Sequence, residues 1–196
     1  EAKRALFAKL ESMAKPEAIL ATNTSSLKLA DIATALKDPS RLVGIHFFNP
    51  VPLLQLVEIV SADKTNPELP RKAAPFVRHI DKLPLPTRDA PGFLVNRVLG
   101  PYMLNALGLL DQGQKPETLD RAMEEFGMPM GPIELADTVG LDVCLHVGRI
   151  LAQAFGRPAP ESIARLVEAR KLGRKSGEGL YVWRDGKGVK PQAGSD

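Results

Sequence analysis

Cysteine is nearly absent: Cys144 stands alone among 196 residues. A single thiol excludes an internal disulfide and a cysteine-built metal site. It fits a reducing compartment, so a cytoplasmic protein is expected. Histidine is scarce too, with three copies that lack ligand spacing, so no metal site is expected. No apolar run approaches the roughly 18 residues of a membrane helix. The longest candidate, Val98 to Leu110, is interrupted by Gly100, Pro101, Asn105 and Gly108. The first residues, Glu1-Ala2-Lys3-Arg4, do not form a secretory signal. The chain also contains no G-x-G-x-x-G. Gly177-Glu178-Gly179 follows no strand and opens no helix, so it is not a dinucleotide fingerprint.

What is present is ordinary for a globular protein, with 44% hydrophobic and 25% charged residues. The net charge of +3 lies entirely beyond residue 170, where Lys171, Arg174, Lys175, Arg184, Lys187 and Lys190 outnumber Glu178, Asp185 and Asp196. Such a tail can meet phosphates, but a solvated C-terminus is the simpler reading, and no nucleic-acid partner is expected.

Periodicity divides the chain in two. Leu6, Leu10 and Met13 recur at helical spacing up to Pro16. Ile19 to Thr22 suits a buried strand, Asn23-Thr24-Ser25-Ser26 a polar turn, and Leu29, Ile32 and Leu36 a short helix. Strands follow at Arg41 to Phe48 and Leu53 to Val60, then a helix from Pro67 to Ile80 and an extended piece from Leu83 to Thr87. This alternation predicts the back half of a doubly wound α/β sheet. Beyond Pro91 helices take over: Gly92 to Gln112 with Pro101 inside, Lys115 to Phe126, Gly131 to Phe155 with a break near Gly140, and Ser162 to Arg170. The predicted boundary lies at Asp89-Ala90-Pro91-Gly92.

One pair of residues suggests chemistry. If the strands around Pro52 fold back on each other, His46 faces Glu58 across the ladder. A carboxylate inside Leu-Val-Glu-Ile-Val is costly to bury without a partner, and an imidazole supplies one. A histidine held by a carboxylate is poised as a general base; a satisfied core histidine is the competing account. The spacing suggests no such strand pairing for His79 and His146, and both read as structural. Asn23, Ser25 and Asn49 close strands at their carboxyl ends, where open α/β sheets bind ligands, although turn chemistry explains them equally well. Asn96, early in an apolar helix, says little by itself.

Taken together, the motifs resemble the L-3-hydroxyacyl-CoA dehydrogenase family of fatty acid β-oxidation. The resemblance rests on Asn23-Thr24-Ser25-Ser26, His46-Phe47-Phe48-Asn49-Pro50, Leu56-Val57-Glu58, the run from Asp89 through Gly92-Phe93-Leu94 and Asn96-Arg97 to Pro101-Tyr102, Met128-Pro129-Met130-Gly131-Pro132, and Lys175-Ser176-Gly177-Glu178-Gly179. It covers essentially the whole chain. It implies that His46 is the catalytic base, that Glu58 holds it, and that Ser25 hydrogen-bonds near the substrate hydroxyl and the nicotinamide. Asn96 would fix the thioester side of the acyl chain. Asn23, Ser25, Asn49 and Lys175 would contact NAD.

The implied fold class is α/β plus all-α. Residues 1–88 would form part of a Rossmann-like NAD-binding domain without its Gly-rich loop, 89–183 a helical dehydrogenase C-terminal domain, and 184–196 a linker or tail. The chain then reads as a fragment of a multifunctional fatty-oxidation subunit, inactive alone. The implied reaction is NAD-dependent oxidation of L-3-hydroxyacyl-CoA to 3-ketoacyl-CoA by a homodimer or larger complex. A short-chain 3-hydroxybutyryl-CoA dehydrogenase, a free hydroxy-acid dehydrogenase and a non-catalytic oligomerising fragment are the alternatives.

Overall fold

A computed structural model describes residues 1–24, 28–156, 158 and 160–190. The chain forms two compact units, Glu1–Asn96 and Arg97–Asp196. Among the described residues, no helix is long and apolar enough to cross a membrane, and no group of histidine, cysteine, aspartate or glutamate is arranged to hold a metal ion.

The first unit runs α1 (Ala2–Met13), β1 (Leu20–Thr22), α2 (Leu29–Ala33), β2 (Leu42–Phe47), β3 (Leu56–Ser61), α3 (Leu69–His79) and β4 (Leu83–Arg88). The strands form one sheet in the order β1-β2-β3-β4. β1 is parallel to β2 and β3 to β4, while β2 and β3 run antiparallel. Pro84 and Pro86, which cannot donate to a ladder, fall on β4 at the sheet edge.

Strand side chains alternate between faces with period two. The odd positions of β2 and β3, Val43, Ile45, Val57 and Ile59, pack against Leu69, Ala73, Ala74 and Val77 of α3. The even positions Leu42 and Val60 join Phe7 of α1, Leu29 and Ile32 of α2, and Phe93. Gly44 pairs with Val60 and His46 with Glu58, so both polar side chains project toward this second face.

Two expectations shift. The stripe Leu6, Leu10 and Met13 is not the buried face of α1. Met13 is 74% exposed, and Phe7, one position off the stripe, carries the packing instead. The third strand starts at Leu56 rather than Leu53, because the amides of Leu53 and Leu54 both bond to the Pro50 carbonyl and hold a turn. The Lys82 amine donates to the carbonyls of Val51 and Leu54 and ties that turn down.

The second unit is built from most of α4 (Val95–Asp111), α5 (Pro116–Phe126), α6 (Pro132–Val139), α7 (Leu141–Phe155) and α8 (Glu161–Glu168), followed by the hairpin β5 (Val182–Arg184) and β6 (Lys187–Val189). The break expected near Gly140 separates α6 from α7. Ala106, Leu107, Ile133, Ala136, Leu141, Leu145 and Ile163 form its core with Tyr181 and Trp183.

Residues 184–189, expected to run on as a linker or tail, instead belong to this hairpin: Arg184 ends β5, and Lys187–Val189 form β6. The reason is buried anchoring. Asp137, fully buried, accepts from the amides of Leu180 (2.9 Å) and Tyr181 (2.8 Å) and from the Trp183 indole (2.8 Å). Asp120, also fully buried, accepts from the Tyr181 hydroxyl (2.8 Å) and from the amides of Ile133 and Glu134. Residues 191–196 lie outside the described residues.

Three of the six basic residues beyond residue 170 are paired within the unit. Lys171 meets Glu178, Lys175 meets Asp142, and Lys190 meets Asp120, Glu124 and Glu134.

Candidate active site

The register expected from the turn at Pro52 is the one observed: His46 lies opposite Glu58, flanked by the pairs Ile45–Ile59 and Phe47–Val57. His46 Nδ1 and Glu58 Oε2 are 2.8 Å apart. His46 is 5% exposed and Glu58 fully buried. The second carboxylate oxygen is also used. Glu58 Oε1 accepts the backbone N–H of Leu94 and of Val95, both at 2.9 Å. These amides open α4, so the carboxylate caps a helix start, where the dipole favours negative charge.

Burial pushes the Glu58 carboxyl up, but the His46 hydrogen bond and the Val95 and Leu94 amides outweigh it, leaving the carboxyl below the usual carboxylate range. Glu58 is therefore an anion and only accepts. Nδ1 of His46 then donates to it, and in its neutral form the imidazole keeps its lone pair on Nε2. An imidazole held at one nitrogen, with the other left to accept a proton, can serve as a general base.

The sign of this shift predicts a pH dependence. A carboxyl held low in the folded state stabilises the fold above the usual glutamate range, and that stability is lost as pH falls through the lowered value. Urea denaturation of wild type and Glu58→Gln between about pH 6 and pH 3 should show wild type losing more stability on acidification. Identical pH dependence in the two would contradict the ionised cap.

The other candidate residues are distributed as follows. Asn23, just past β1, is exposed, and its Oδ1 accepts the Phe47 N–H at 3.3 Å, bracing the end of β2 and leaving its amide NH₂ as a donor. Asn49 is exposed beyond the end of β2. Asn96 is half-buried and follows Val95, whose amide is on Glu58. Ser25 lies outside the described residues. Lys175 belongs to the second unit and is engaged by Asp142.

Comparison with known proteins places this geometry. Residues 1–90 match the model of the 3-hydroxyacyl-CoA dehydrogenase NAD binding domain, and residues 92–183 match that of the 3-hydroxyacyl-CoA dehydrogenase C-terminal domain. The chain belongs to the 3-hydroxyacyl-CoA dehydrogenase family. A probable 3-hydroxyacyl-CoA dehydrogenase of Caenorhabditis elegans is 43% identical over 192 residues, covering 93% of this chain and 61% of the relative. The fatty acid oxidation complex subunit alpha of Psychrobacter cryohalolentis is 40% identical over 99% of this chain and 28% of its own length. The solved (S)-3-hydroxybutyryl-CoA dehydrogenase of Ralstonia eutropha superposes with a TM-score of 0.87 at 33% identity, covering 94% of this chain and 67% of that one. The chain thus spans about three fifths of the worm relative and under a third of the oxidation-complex subunit.

As a 3-hydroxyacyl-CoA dehydrogenase family member, the chain carries the family's NAD binding domain over residues 1–90. Asn23 and Asn49 are exposed past the ends of β1 and β2, and Asn23 keeps its NH₂ as a donor, whereas no Gly-rich turn for a pyrophosphate occurs among the 196 residues. The sequence reading missed the second role of Glu58 as the helix cap. It also missed the two aromatic rings on His46, Phe48 at 4.7 Å and Phe93 at 5.5 Å between centroids. The run Gly92-Phe93 was visible, but nothing in its spacing indicates that it folds back onto His46.

Proposed function

We propose that the full-length protein oxidises an L-3-hydroxyacyl-CoA to the 3-ketoacyl-CoA with NAD, and that His46 is the base. The His46–Glu58 pair, with Nε2 left free, carries this reading. His46 Nε2 takes the hydroxyl proton, the C3–H bond breaks, and the C3–O bond becomes a carbonyl. When bound, NAD accepts the hydride. Glu58 fixes the tautomer and stabilises the imidazolium as it forms. Ser25 hydrogen-bonds the substrate hydroxyl, Asn96 orients the thioester side of the acyl chain, and Asn23, Asn49 and Lys175 contact NAD.

On this reading residues 1–88 belong to the cofactor domain and the helices from 89 onward to the C-terminal domain. The lone cysteine supports a reducing, cytoplasmic setting. A homodimer is supported by the apolar residues that α4 and α7 leave exposed, Val98, Leu109 and Val143.

Turnover of acetoacetyl-CoA with NADH by the full-length protein tests the reaction. Activity on the thioester and little on free acetoacetate is expected. A preference for the free acid would overturn the substrate class. A short-chain 3-hydroxybutyryl-CoA preference is the second reading, favoured by the likeness to the Ralstonia structure. Rates across a series of acyl chain lengths decide between them.

A further inference from the structure

One hydrogen bond does not fix an imidazole. With Nδ1 tethered to Glu58 Oε2, the ring of His46 can still swing about that contact, and Nε2 swings with it. Two aromatic rings oppose this motion. Phe48 meets the imidazole edge-on at 62° and Phe93 at 65°. Phe48 is the less committed of the two, being only half-buried. Phe93 is 5% exposed and belongs to the apolar cluster of Phe7, Leu29, Leu42 and Val60, so its ring is held from behind.

The backbone of Phe93 is unusual as well. Gly92 has φ +75° and Phe93 has φ +50°. The first value suits glycine. The second is disfavoured for any residue with a Cβ and persists only where the surroundings enforce it. Here the Phe93 N–H bonds to the Ala90 carbonyl at 2.8 Å. The next two amides, Leu94 and Val95, then converge on Glu58 Oε1. Successive backbone N–H groups that a turn aims at one oxygen form an anion-holding nest. A glycine at 93 would adopt this turn without strain, yet the position carries a large aromatic ring in contact with the base.

We propose that Phe93 is a positioning residue: its ring fixes the orientation of the His46 imidazole, while its left-handed backbone delivers the Leu94 and Val95 amides to Glu58. One residue thus sets both ends of the pair. The base is held in plane by the ring, and the carboxylate that orients the base is held by the turn. The inference rests on His46 being the base of thioester oxidation. Small displacements of a catalytic group are expensive, since a misplacement of about 1 Å costs on the order of a hundredfold in rate.

The test compares Phe93→Leu and Phe93→Tyr with wild type in the full-length protein, by steady-state turnover of acetoacetyl-CoA with NADH well below the melting temperature. Leucine stays apolar and makes the same demand on φ, but it is somewhat smaller and removes the aromatic contact. Phe93→Leu should lower kcat by about tenfold or more with KM changed less than about twofold. Phe93→Tyr, which keeps the ring, should recover most of the loss. If Phe93→Leu retains kcat within about twofold, or Phe93→Tyr falls as far as the leucine variant, the positioning role is wrong. Should the leucine variant fail to fold, Phe93→Met replaces it with the same outcomes. A wild type that is itself inactive on the thioester overturns the functional reading. An active wild type with unaffected variants overturns only this inference.

Discussion

Replacing His46 with alanine in the full-length protein lowers kcat for the thioester reaction by about 10²–10⁴-fold, the usual contribution of a general base. The fold should survive. Removing the imidazole takes one partner from Glu58, but Oε1 still accepts from Leu94 and Val95, so the buried carboxylate keeps two of its hydrogen bonds. Its charge also remains at the start of α4, where the helix dipole favours it. KM should change little, because the proton transfer develops in the transition state rather than on binding. Steady-state kinetics and a thermal melt check both statements. A variant that turns over at near-normal rates would remove His46 from the mechanism, and one that unfolds would show that the pair serves the fold first.

The second large effect lies in the other unit. Asp137→Ala should destabilise the C-terminal segment by about 3 kcal/mol or more, because each buried donor left without a partner costs about 1–3 kcal/mol. Three donors are stranded together: the amides of Leu180 and Tyr181 and the indole N–H of Trp183. Trp183 is the sole tryptophan and is 8% exposed, so its fluorescence reports directly on release of the hairpin. Asp142→Ala is the control. That carboxylate pairs with Lys175 on the surface, and exposed pairs contribute about 0–1 kcal/mol. Denaturant unfolding followed at the tryptophan should separate the two variants clearly. Equal stability of Asp137→Ala and wild type would show that hydrophobic packing alone holds the hairpin.

The sequence and the structure agree most closely where a periodic pattern is constrained on both sides. The antiparallel return at Pro52 places His46 opposite Glu58 because strand register is all-or-none: a slip of one residue would put Leu42 and Val60 on the wrong face. The positions of α3 and α5 and the break at Gly140 also agree with the sequence. The pattern misled at α1, where a regular stripe of Leu6, Leu10 and Met13 competes with the larger ring of Phe7 beside it, and tertiary packing selected the ring.

It was silent on Asp120 and Asp137, which look like surface acids in amphipathic helices yet are fully buried. A signal for them existed in the glycines. A Cβ at Gly131 would overlap the Asp120 carboxylate, and one at Gly179 would overlap that of Asp137. The Met-Pro-Met-Gly-Pro and Gly-Glu-Gly runs are therefore where backbone passes close to a buried carboxylate. The site was legible as a pair and not as a cluster. Glu58's second partners, and the ring of Phe93, are set by a left-handed turn that no periodicity encodes.

The most direct test of the account is a double-mutant cycle in the full-length protein, with His46→Ala, Glu58→Gln and the double variant assayed for turnover of acetoacetyl-CoA with NADH. If Glu58 acts through His46, Glu58→Gln lowers kcat in the wild-type background but adds less than about threefold once His46 is alanine, since groups that work as a unit are strongly non-additive. Fully multiplicative losses in the double variant would contradict the claim that this pair is one catalytic device.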